Sequence, residues 1–237
     1  MRLKGKVAVI TGGEGPLGRE VTKKFLAEGA KVAIGWFAPD EWEDAKKLIP
    51  AEYKAQITDM RFDATKEDQV KSLMEKVKNT FGSIDILIHA VGMVYVGGML
   101  WETDTAILER LFSVNTLSAF LCSKHALKVM LEKKSGRIVV FPPTVVTEPH
   151  PHFGPYAISK AGLVTMVQQL REELKDTNIT VNAVMPSVMD TFRTRKMPNA
   201  APDNWVKPSD VAEFLSYICS DEAKVLSGSI LKVLGKV

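Results

Sequence analysis

Short apolar runs alternate with amphipathic helical stretches along the chain, and this alternation constrains the fold more than any other feature. Runs rich in Val and Ile, bounded by Gly, Pro or Asp, predict seven strands at residues 7–10, 31–36, 57–62, 86–91, 137–141, 180–185 and 229–234. Strands that alternate with helices form a parallel sheet, because right-handed crossovers cover both of its faces. We therefore predict an α/β fold: a single-domain, Rossmann-like doubly wound sheet over residues 1–237.

The stretches between the strands carry the period of helices. Thr65 and Asp68 are placed as a capping box at the start of one of them. The apolar face of that helix consists of Val70, Leu73, Met74, Val77 and Phe81. After the sixth strand, residues 192–208 include a Pro- and Asn-rich stretch too long for a tight turn. We expect these residues to form a lid loop over a substrate.

Composition excludes several classes of partner. The chain has 31 basic and 28 acidic residues and no basic run of the kind that follows a phosphate backbone, so nucleic acid is not expected. The sequence offers neither a signal peptide nor a membrane span, which indicates a cytoplasmic protein without a membrane partner. Cys122 and Cys219 are too few for a disulfide framework or a metal knuckle, and His150 and His152 lack enough companions, so no metal is expected.

The first predicted strand runs directly into a glycine-rich turn, Thr11-Gly12-Gly13-Glu14-Gly15-Pro16-Leu17-Gly18, and then into a helix. Glycines in such a turn let backbone amides approach a pyrophosphate at the helix N-terminus, where the dipole favours negative charge. A plain glycine turn is the alternative interpretation. The strand–turn–helix order at the start of an α/β chain favours dinucleotide binding.

Tyr156 and Lys160 are four residues apart in a predicted helix and so lie on one face of it. An ammonium beside a phenol stabilises the phenolate, which would lower a tyrosine pKa that starts near ~10. The pair therefore predicts a proton donor, although an ordinary surface contact would have the same spacing.

Taken together, these motifs resemble those of the short-chain dehydrogenases/reductases over essentially the whole chain. The matching positions, in the order of that family, are Thr11-Gly12…Gly18, Asp63, Gly92, Asn115, Tyr156-x-x-x-Lys160 and Pro186…Thr191. The resemblance implies an NAD(P)-binding oxidoreductase that moves a hydride between nicotinamide and the carbonyl or alcohol group of a small-molecule substrate. It implies Tyr156 as the acid/base, Lys160 as a ribose ligand that lowers the tyrosine pKa, and Asn115 as the holder of a water in the proton relay.

The resemblance also implies a set of cofactor contacts, with Asp63 against the adenine and Thr191 at the nicotinamide end. That set is Thr11, Gly12, Gly15, Leu17, Gly18, Trp36, Asp63, Ala64, Ala90, Gly92, Tyr156, Lys160, Pro186, Val188 and Thr191. Structural alternatives exist for three of the matched residues: Asp63 as a turn residue, Asn115 as a buried helix amide and Thr191 as a helix cap.

Three departures from the family pattern bear on activity. Pro16 stands where a glycine is expected, which removes one backbone donor from the loop. His89-Ala90-Val91-Gly92 replaces the usual Asn-Asn-Ala-Gly. The serine that normally orients the substrate carbonyl is Pro143, so we assign that role to the adjacent Thr144, on the condition that the strand end shifts by one residue.

Two other functions stay open for this reason. The segment from Asp190 to Pro198, with Trp205 and Ser227-Gly228-Ser229-Ile230, resembles the tail of dihydropteridine reductases and related bacterial short-chain reductases, which implies a pterin reductase. The second is a cofactor-binding remnant with little turnover, because Pro143 stands at the position of the catalytic serine.

The choice between NAD and NADP is left open by the residues after the second strand. Gly35-Trp36-Phe37 offers neither the acid typical of NAD enzymes nor the arginine typical of NADP enzymes. Glu14 in the glycine-rich loop would repel a 2′-phosphate, and Asp40 and Glu41 follow shortly, whereas the missing acid removes the usual bar to NADP.

Two predicted helices after the fourth and fifth strands carry more apolar positions than one sheet face needs. Those positions are Phe112, Phe120, Leu127, Leu163, Val167 and Leu170. In the resembling family such helices pair across subunits, which implies a homo-oligomer, a tetramer, built on isologous contacts.

Overall fold

Seven strands form one parallel sheet in the computed structural model, which describes residues 1–197 and 200–235. The strands are β1 (Val7–Thr11), β2 (Lys31–Trp36), β3 (Ile57–Arg61), β4 (Ile86–His89), β5 (Ser135–Val140), β6 (Asn178–Pro186) and β7 (Ile230–Val233). Their order across the sheet is β3-β2-β1-β4-β5-β6-β7, and every neighbouring pair is parallel. The predicted doubly wound, Rossmann-like sheet is confirmed.

Helices cover both faces of the sheet. They are α1 (Pro16–Ala27), α2 (Pro39–Lys47), α3 (Glu67–Phe81), α4 (Thr105–Phe112), α5 (Ser118–Met130), α6 (Gly154–Glu173) and α7 (Pro208–Ile218). Because side chains alternate along a strand, β1 sends Val7 and Val9 into the core shared with α3, α5 and α6. Ala8 and Ile10 of the same strand enter the second core, shared with α1, α2 and α7.

The order of the strands reverses at β1, whose neighbours are β2 on one side and β4 on the other. Thr11 at the end of β1 is in register with His89 at the end of β4, so the loops that follow both strands leave the sheet together. A crevice outside the carboxyl ends of strands at such a switch point is the ligand site of open α/β sheets. The fold therefore places the glycine-rich loop and the segment after β4 at one site.

The structure differs from the sequence prediction at the start of α3. Lys66 is the residue before the helix and makes no side-chain cap, so the predicted capping box of Thr65 and Asp68 is wrong. Thr65 instead donates from its backbone N–H and its hydroxyl to Asp63 Oδ1, at 2.9 and 2.7 Å. Aspartate side chains favour such local turns, which compete with capping.

Strand ends also differ from the prediction. β5 ends at Val140, one residue earlier than predicted. Pro142 and Pro143 follow it, and neither has an N–H with which to continue the ladder. β4 ends at His89, two residues earlier than predicted. There the chain leaves the sheet toward the crevice.

The segment 192–208 contains two short 3-10 turns, Thr194–Lys196 and Pro202–Asn204. Met189 and Val206 form an isolated parallel bridge across its base. Pro198 and Asn199 of this segment lie outside the described residues.

Within residues 1–197 and 200–235, the helices are either too short or too polar to cross a membrane. The same ranges hold no cluster of three or more His, Cys, Asp or Glu side chains placed to bind a metal ion.

Candidate active site

The glycine-rich loop packs tightly between β4 and the start of α1. Gly12 has a φ of +71°, which favours glycine, and a Cβ on it would lie 3.0 Å from the carbonyl carbon of Ala90. A Cβ on Gly18 would lie 2.4 Å from the Gly12 carbonyl oxygen. Pro16 occupies the first turn of α1, where a missing N–H breaks no helical bond. The loop thus turns the N-terminus of α1 toward the crevice, as phosphate binding requires.

A groove of about 740 Å³ opens beside this loop at the carboxyl edge of the sheet. Seven of the residues predicted to bind cofactor line it: Gly12, Gly15, Trp36, Asp63, Ala64, Ala90 and Gly92. Sequence reasoning missed several others, among them Phe37, Val91, Met93, Arg110 and Arg193. The groove joins the ends of β2, β3 and β4 and has a volume ordinary for a cofactor site.

Asp63 and Trp36 both line the groove and also hold their own loops. Asp63 forms the turn to Thr65 described above, so the turn interpretation and the position in the groove are both correct. The Trp36 ring stacks on Trp42 with centroids 5.8 Å apart, and its Nε1 donates to Asp59 at 2.7 Å.

Thr11 and Leu17 differ from the other predicted cofactor contacts because their side chains face the interior. Leu17 is buried in the core of α1, α2 and α7. The Thr11 hydroxyl is hydrogen-bonded to His89 Nδ1 at 2.9 Å, and His89 Nε2 to the Ser118 hydroxyl at 3.1 Å. Burial, with the Lys160 charge, lowers the His89 pKa to about 3. His89 is therefore a neutral link between β1, β4 and α5, and these side chains support the loop rather than line the groove.

Tyr156 and Lys160 lie in the first turns of α6, 9% and 5% exposed. A Cβ on Gly92 would lie 2.9 Å from Lys160 Nζ and 3.3 Å from Asn115 Oδ1. Gly92 lines the groove, so the groove approaches the lysine ammonium at this residue. The structure thus brings Gly92, Asn115 and Lys160 close together.

The structure does not give Tyr156 the lowered pKa that was expected from the Lys160 ammonium. Burial raises the Tyr156 pKa to about 12 and lowers the Lys160 pKa to about 8. The prediction that the ammonium lowers the tyrosine pKa is wrong for this structure. The physical reason is loss of solvation on burial, which disfavours the charged form of each group.

Asn115 lies in a π-helical turn, Ser113–Leu117, between α4 and α5. Its Oδ1 accepts from the Met93 N–H at 2.8 Å, and its Nδ2 donates to the Met93 carbonyl and to the Ser159 hydroxyl, both at 2.9 Å. Ser159 in turn donates to the Tyr156 carbonyl at 2.8 Å. Asn115 therefore ties the segment after β4 to the turn of α6 that carries Tyr156. Such π-turns often mark functional sites.

Ser159 is the member of this network that sequence reasoning missed. It is fully buried, and its only sequence signal is its position between Tyr156 and Lys160. Because its hydroxyl bonds Asn115 and the backbone of Tyr156, it fixes the first turn of α6.

Thr144 begins a 3-10 turn directly after Pro143, and the side chains of both are partly exposed. The Thr144 carbonyl accepts from the N–H groups of Thr147 and Glu148, at 2.9 and 2.8 Å. The chain therefore leaves the line of β5 at this point, and Thr144 lies outside the lining of the groove. His152, with a φ of +70°, donates from Nδ1 to the Gly97 carbonyl at 2.8 Å and so joins two loops beside α6.

The predicted contacts after β6 lie outside the lining of the groove. Pro186 ends β6, and the Val188 side chain is 45% exposed. The Thr191 hydroxyl is hydrogen-bonded to the Thr194 hydroxyl at 2.9 Å and accepts from the Thr194 N–H at 3.1 Å. Thr191 is thus tied to the 3-10 turn that follows it, although the residue at the cap position of that turn is Arg193.

The chain is similar to known oxidoreductases in sequence and in structure. The family model described as short chain dehydrogenase matches residues 6–201. The 3-oxoacyl-(acyl-carrier-protein) reductase FabG of Thermotoga maritima is 29% identical over 244 residues, which cover 99% of this chain and 98% of that protein. Secoisolariciresinol dehydrogenase of Forsythia intermedia is 32% identical over 250 residues, covering 99% and 89%. A solved short-chain dehydrogenase/reductase from Serratia marcescens BCRC 10948 matches with a TM-score of 0.89 at 27% identity, covering 99% of this chain and 98% of that one.

Proposed function

Because the chain belongs to the short-chain dehydrogenase/reductase family, we propose that it is an NAD(P)-dependent oxidoreductase acting on a carbonyl or alcohol, with Tyr156 as its acid/base. The observation that carries this proposal is that Gly92, which lines the groove, lies against the Lys160 ammonium and the Asn115 side chain, and that Lys160 shares α6 with Tyr156. A dinucleotide fits the groove, since it combines a helix N-terminus with glycines that allow close approach.

Each residue has a separate task in this proposal. Bound nicotinamide supplies or accepts the hydride at ring carbon C4. Tyr156 holds the proton that the substrate oxygen gains or loses, and its high pKa keeps it protonated until then. Lys160 presents its ammonium to the ribose beside Gly92, and Asn115 holds the Met93 backbone and α6 in place.

A binding titration tests the cofactor half of this proposal. Purified protein titrated with NADH and with NADPH, followed by nicotinamide fluorescence, is expected to saturate with at least one of them. Failure of both to bind contradicts the proposed function.

We propose that Thr144 replaces the missing serine, because it is partly exposed and its turn departs from β5 and packs against α6. Thr144→Val is expected to slow carbonyl reduction by about 10- to 10³-fold, the range for one lost donor to a reacting oxygen, with cofactor binding unchanged. Thr147→Val, which removes a hydroxyl from the end of the same turn, is the matched control and is expected to have little effect.

The second candidate is a pterin reductase, because such an enzyme reduces a ring and needs no hydroxyl at Pro143. In that case, or in a remnant, Thr144→Val is silent, and Pro143→Ser raises activity toward ketones by restoring a donor. Steady-state rates of both variants on one ketone distinguish a carbonyl oxidoreductase that uses Thr144 from a pterin reductase or a remnant. A silent Thr144→Val beside a faster Pro143→Ser contradicts the role of Thr144.

We further propose that residues 192–208 act as a lid within a single cofactor-binding domain over residues 1–237. Arg193 forms a salt bridge with Glu41 at the start of α2. The Arg19 guanidinium of α1 lies 5.9 Å from the Phe192 ring centroid. These contacts, together with the position of Arg193 in the lining of the groove, support this proposal.

A homotetramer is the proposed assembly, and two of the six residues expected to support it are exposed. Leu127, Leu163 and Val167 lie in the core and are not available for contact, and Leu170 packs against that core. Phe112 and Phe120 are 39% and 51% exposed, with Leu117 at 43%, beside an apolar groove of about 590 Å³. This surface has the exposed apolar side chains of an isologous interface.

Phe120→Glu is expected to reduce the particle mass, because it places a charge in that surface. Leu131→Glu, at a residue that is 45% exposed beyond the end of α5, is the matched control and is expected to leave the mass unchanged. Light scattering measures both. A wild-type particle of 26.2 kDa at micromolar concentration contradicts the assembly.

A further inference from the structure

Glu14 brings a carboxylate from the glycine-rich loop to the end of β2. Its Oε1 accepts from the backbone N–H groups of Phe37 and Ala38, at 2.8 and 3.2 Å. Both amides follow β2 directly. The side chain therefore spans from one loop to the other and fixes its charge where the chain leaves the sheet.

The second carboxylate oxygen, Oε2, is buried and has no hydrogen-bond partner among the residues that the structure describes. Glu14 as a whole is 7% exposed, and it lines the 740 Å³ groove. A buried charged acceptor without a donor is unfavourable, so such an atom calls for a partner. Since Glu14 lines the groove, a ligand bound there would be the source of such a donor.

We infer that Glu14 selects NAD over NADP by accepting a hydrogen bond from the adenosine ribose hydroxyls; this inference rests on the proposed function. Dinucleotide folds place an acid at the end of β2 for these hydroxyls, and Gly35-Trp36-Phe37 supplies none. In the structure, the Glu14 side chain supplies an acid at the end of β2, although Glu14 is 23 residues away from Phe37 in the sequence. A ribose diol donates to Oε2, whereas a 2′-phosphate lacks that donor and is repelled.

The arginines around Glu14 are already engaged by protein groups. Arg19 donates to the Glu14 and Glu41 carbonyls at 2.7 and 2.8 Å. Arg61 donates to the Phe37 carbonyl at 3.3 Å, and Arg193 is paired with Glu41. A 2′-phosphate would compete with these acceptors for the guanidinium groups, while a ribose leaves them intact.

The test is a set of dissociation constants for NADH and NADPH, measured by nicotinamide fluorescence on wild type and two variants. Glu14→Gln keeps an acceptor for Phe37 and Ala38 and removes the charge. Asp40→Asn removes the same charge from an exposed side chain nearby and is the matched control. Wild type is expected to bind NADH about tenfold or more tightly than NADPH, the range for a hydrogen bond to a charged acceptor.

Glu14→Gln is expected to reduce that ratio by about tenfold, chiefly through tighter NADPH binding, and Asp40→Asn to leave it within about twofold. Wild type that prefers NADPH, or an unchanged ratio in a folded Glu14→Gln protein, overturns the inference while the proposed function stands. If the Glu14→Gln protein fails to fold, the inference is tested by the ratio of the NADPH and NADH dissociation constants of wild type alone. Absence of binding by both cofactors overturns the proposed function and this inference with it.

Discussion

Tyr156→Phe is expected to lower the rate of hydride transfer by about 10²- to 10⁴-fold, the contribution of a positioned acid/base group. Cofactor affinity is expected to stay within about threefold of wild type, because the ring keeps its packing and the lost hydroxyl acts only on the substrate oxygen. Single-turnover kinetics and a fluorescence titration measure the two quantities on the same preparation.

Tyr217→Phe is the matched control, since it removes the same hydroxyl from α7, where the side chain is 37% exposed. Its rate and affinity are expected to equal those of wild type. A Tyr156→Phe protein that works at a near-normal rate shows that another group supplies the proton.

Lys160→Met is expected to damage both binding and turnover, because the buried ammonium faces Gly92 at the inner end of the groove. Loss of a hydrogen bond from a charged donor corresponds to about a 10- to 100-fold weaker cofactor affinity. Lys128→Met, which removes an exposed ammonium from α5, is the matched control and is expected to bind normally.

The same lysine predicts how binding depends on pH. Burial lowers the Lys160 pKa to about 8, so the side chain is charged below that pH and neutral above it. A dinucleotide is an anion, and its wild-type affinity is therefore expected to fall as the pH rises through about 8. Lys160→Met lacks this titration and is expected to give a flat profile. A decline of equal size in the variant assigns the effect to another group.

The fold was predictable because its signal repeats along the chain. The bounds of β2 agree with the prediction to the residue, since its apolar run ends at glycine and aromatic residues beside the crevice. Helices on both faces imply that the strand order reverses, but the alternation of strands and helices does not say at which strand. The start of α3 was not predictable, because Asp63 competes with the cap for Thr65 through a local turn.

The sequence names candidate residues of the site but not their protonation states. Tyr156, Lys160 and Gly92 can be chosen as candidates by their spacing. The protonation of Tyr156 and Lys160 depends on burial, and burial depends on the packed structure. The contact of Glu14 with Phe37 joins two loops across 23 positions, and no local pattern encodes it.

The π-turn at Asn115 is a second feature that local sequence does not encode. It is one extra residue accommodated within an otherwise helical run from α4 to α5. Helical periodicity predicts that run as a whole and does not locate the turn within it.

The measurement that tests the central claim most directly is cofactor oxidation in the presence of substrate. Protein loaded with its tighter-binding reduced cofactor is mixed with a panel of ketones and with a quinonoid pterin, and nicotinamide absorbance is followed for wild type and Tyr156→Phe. We expect a ketone-dependent loss of absorbance in wild type that the variant abolishes. Saturated cofactor that no ketone oxidises would contradict a carbonyl oxidoreductase, and oxidation by the pterin alone would assign the protein to the second candidate.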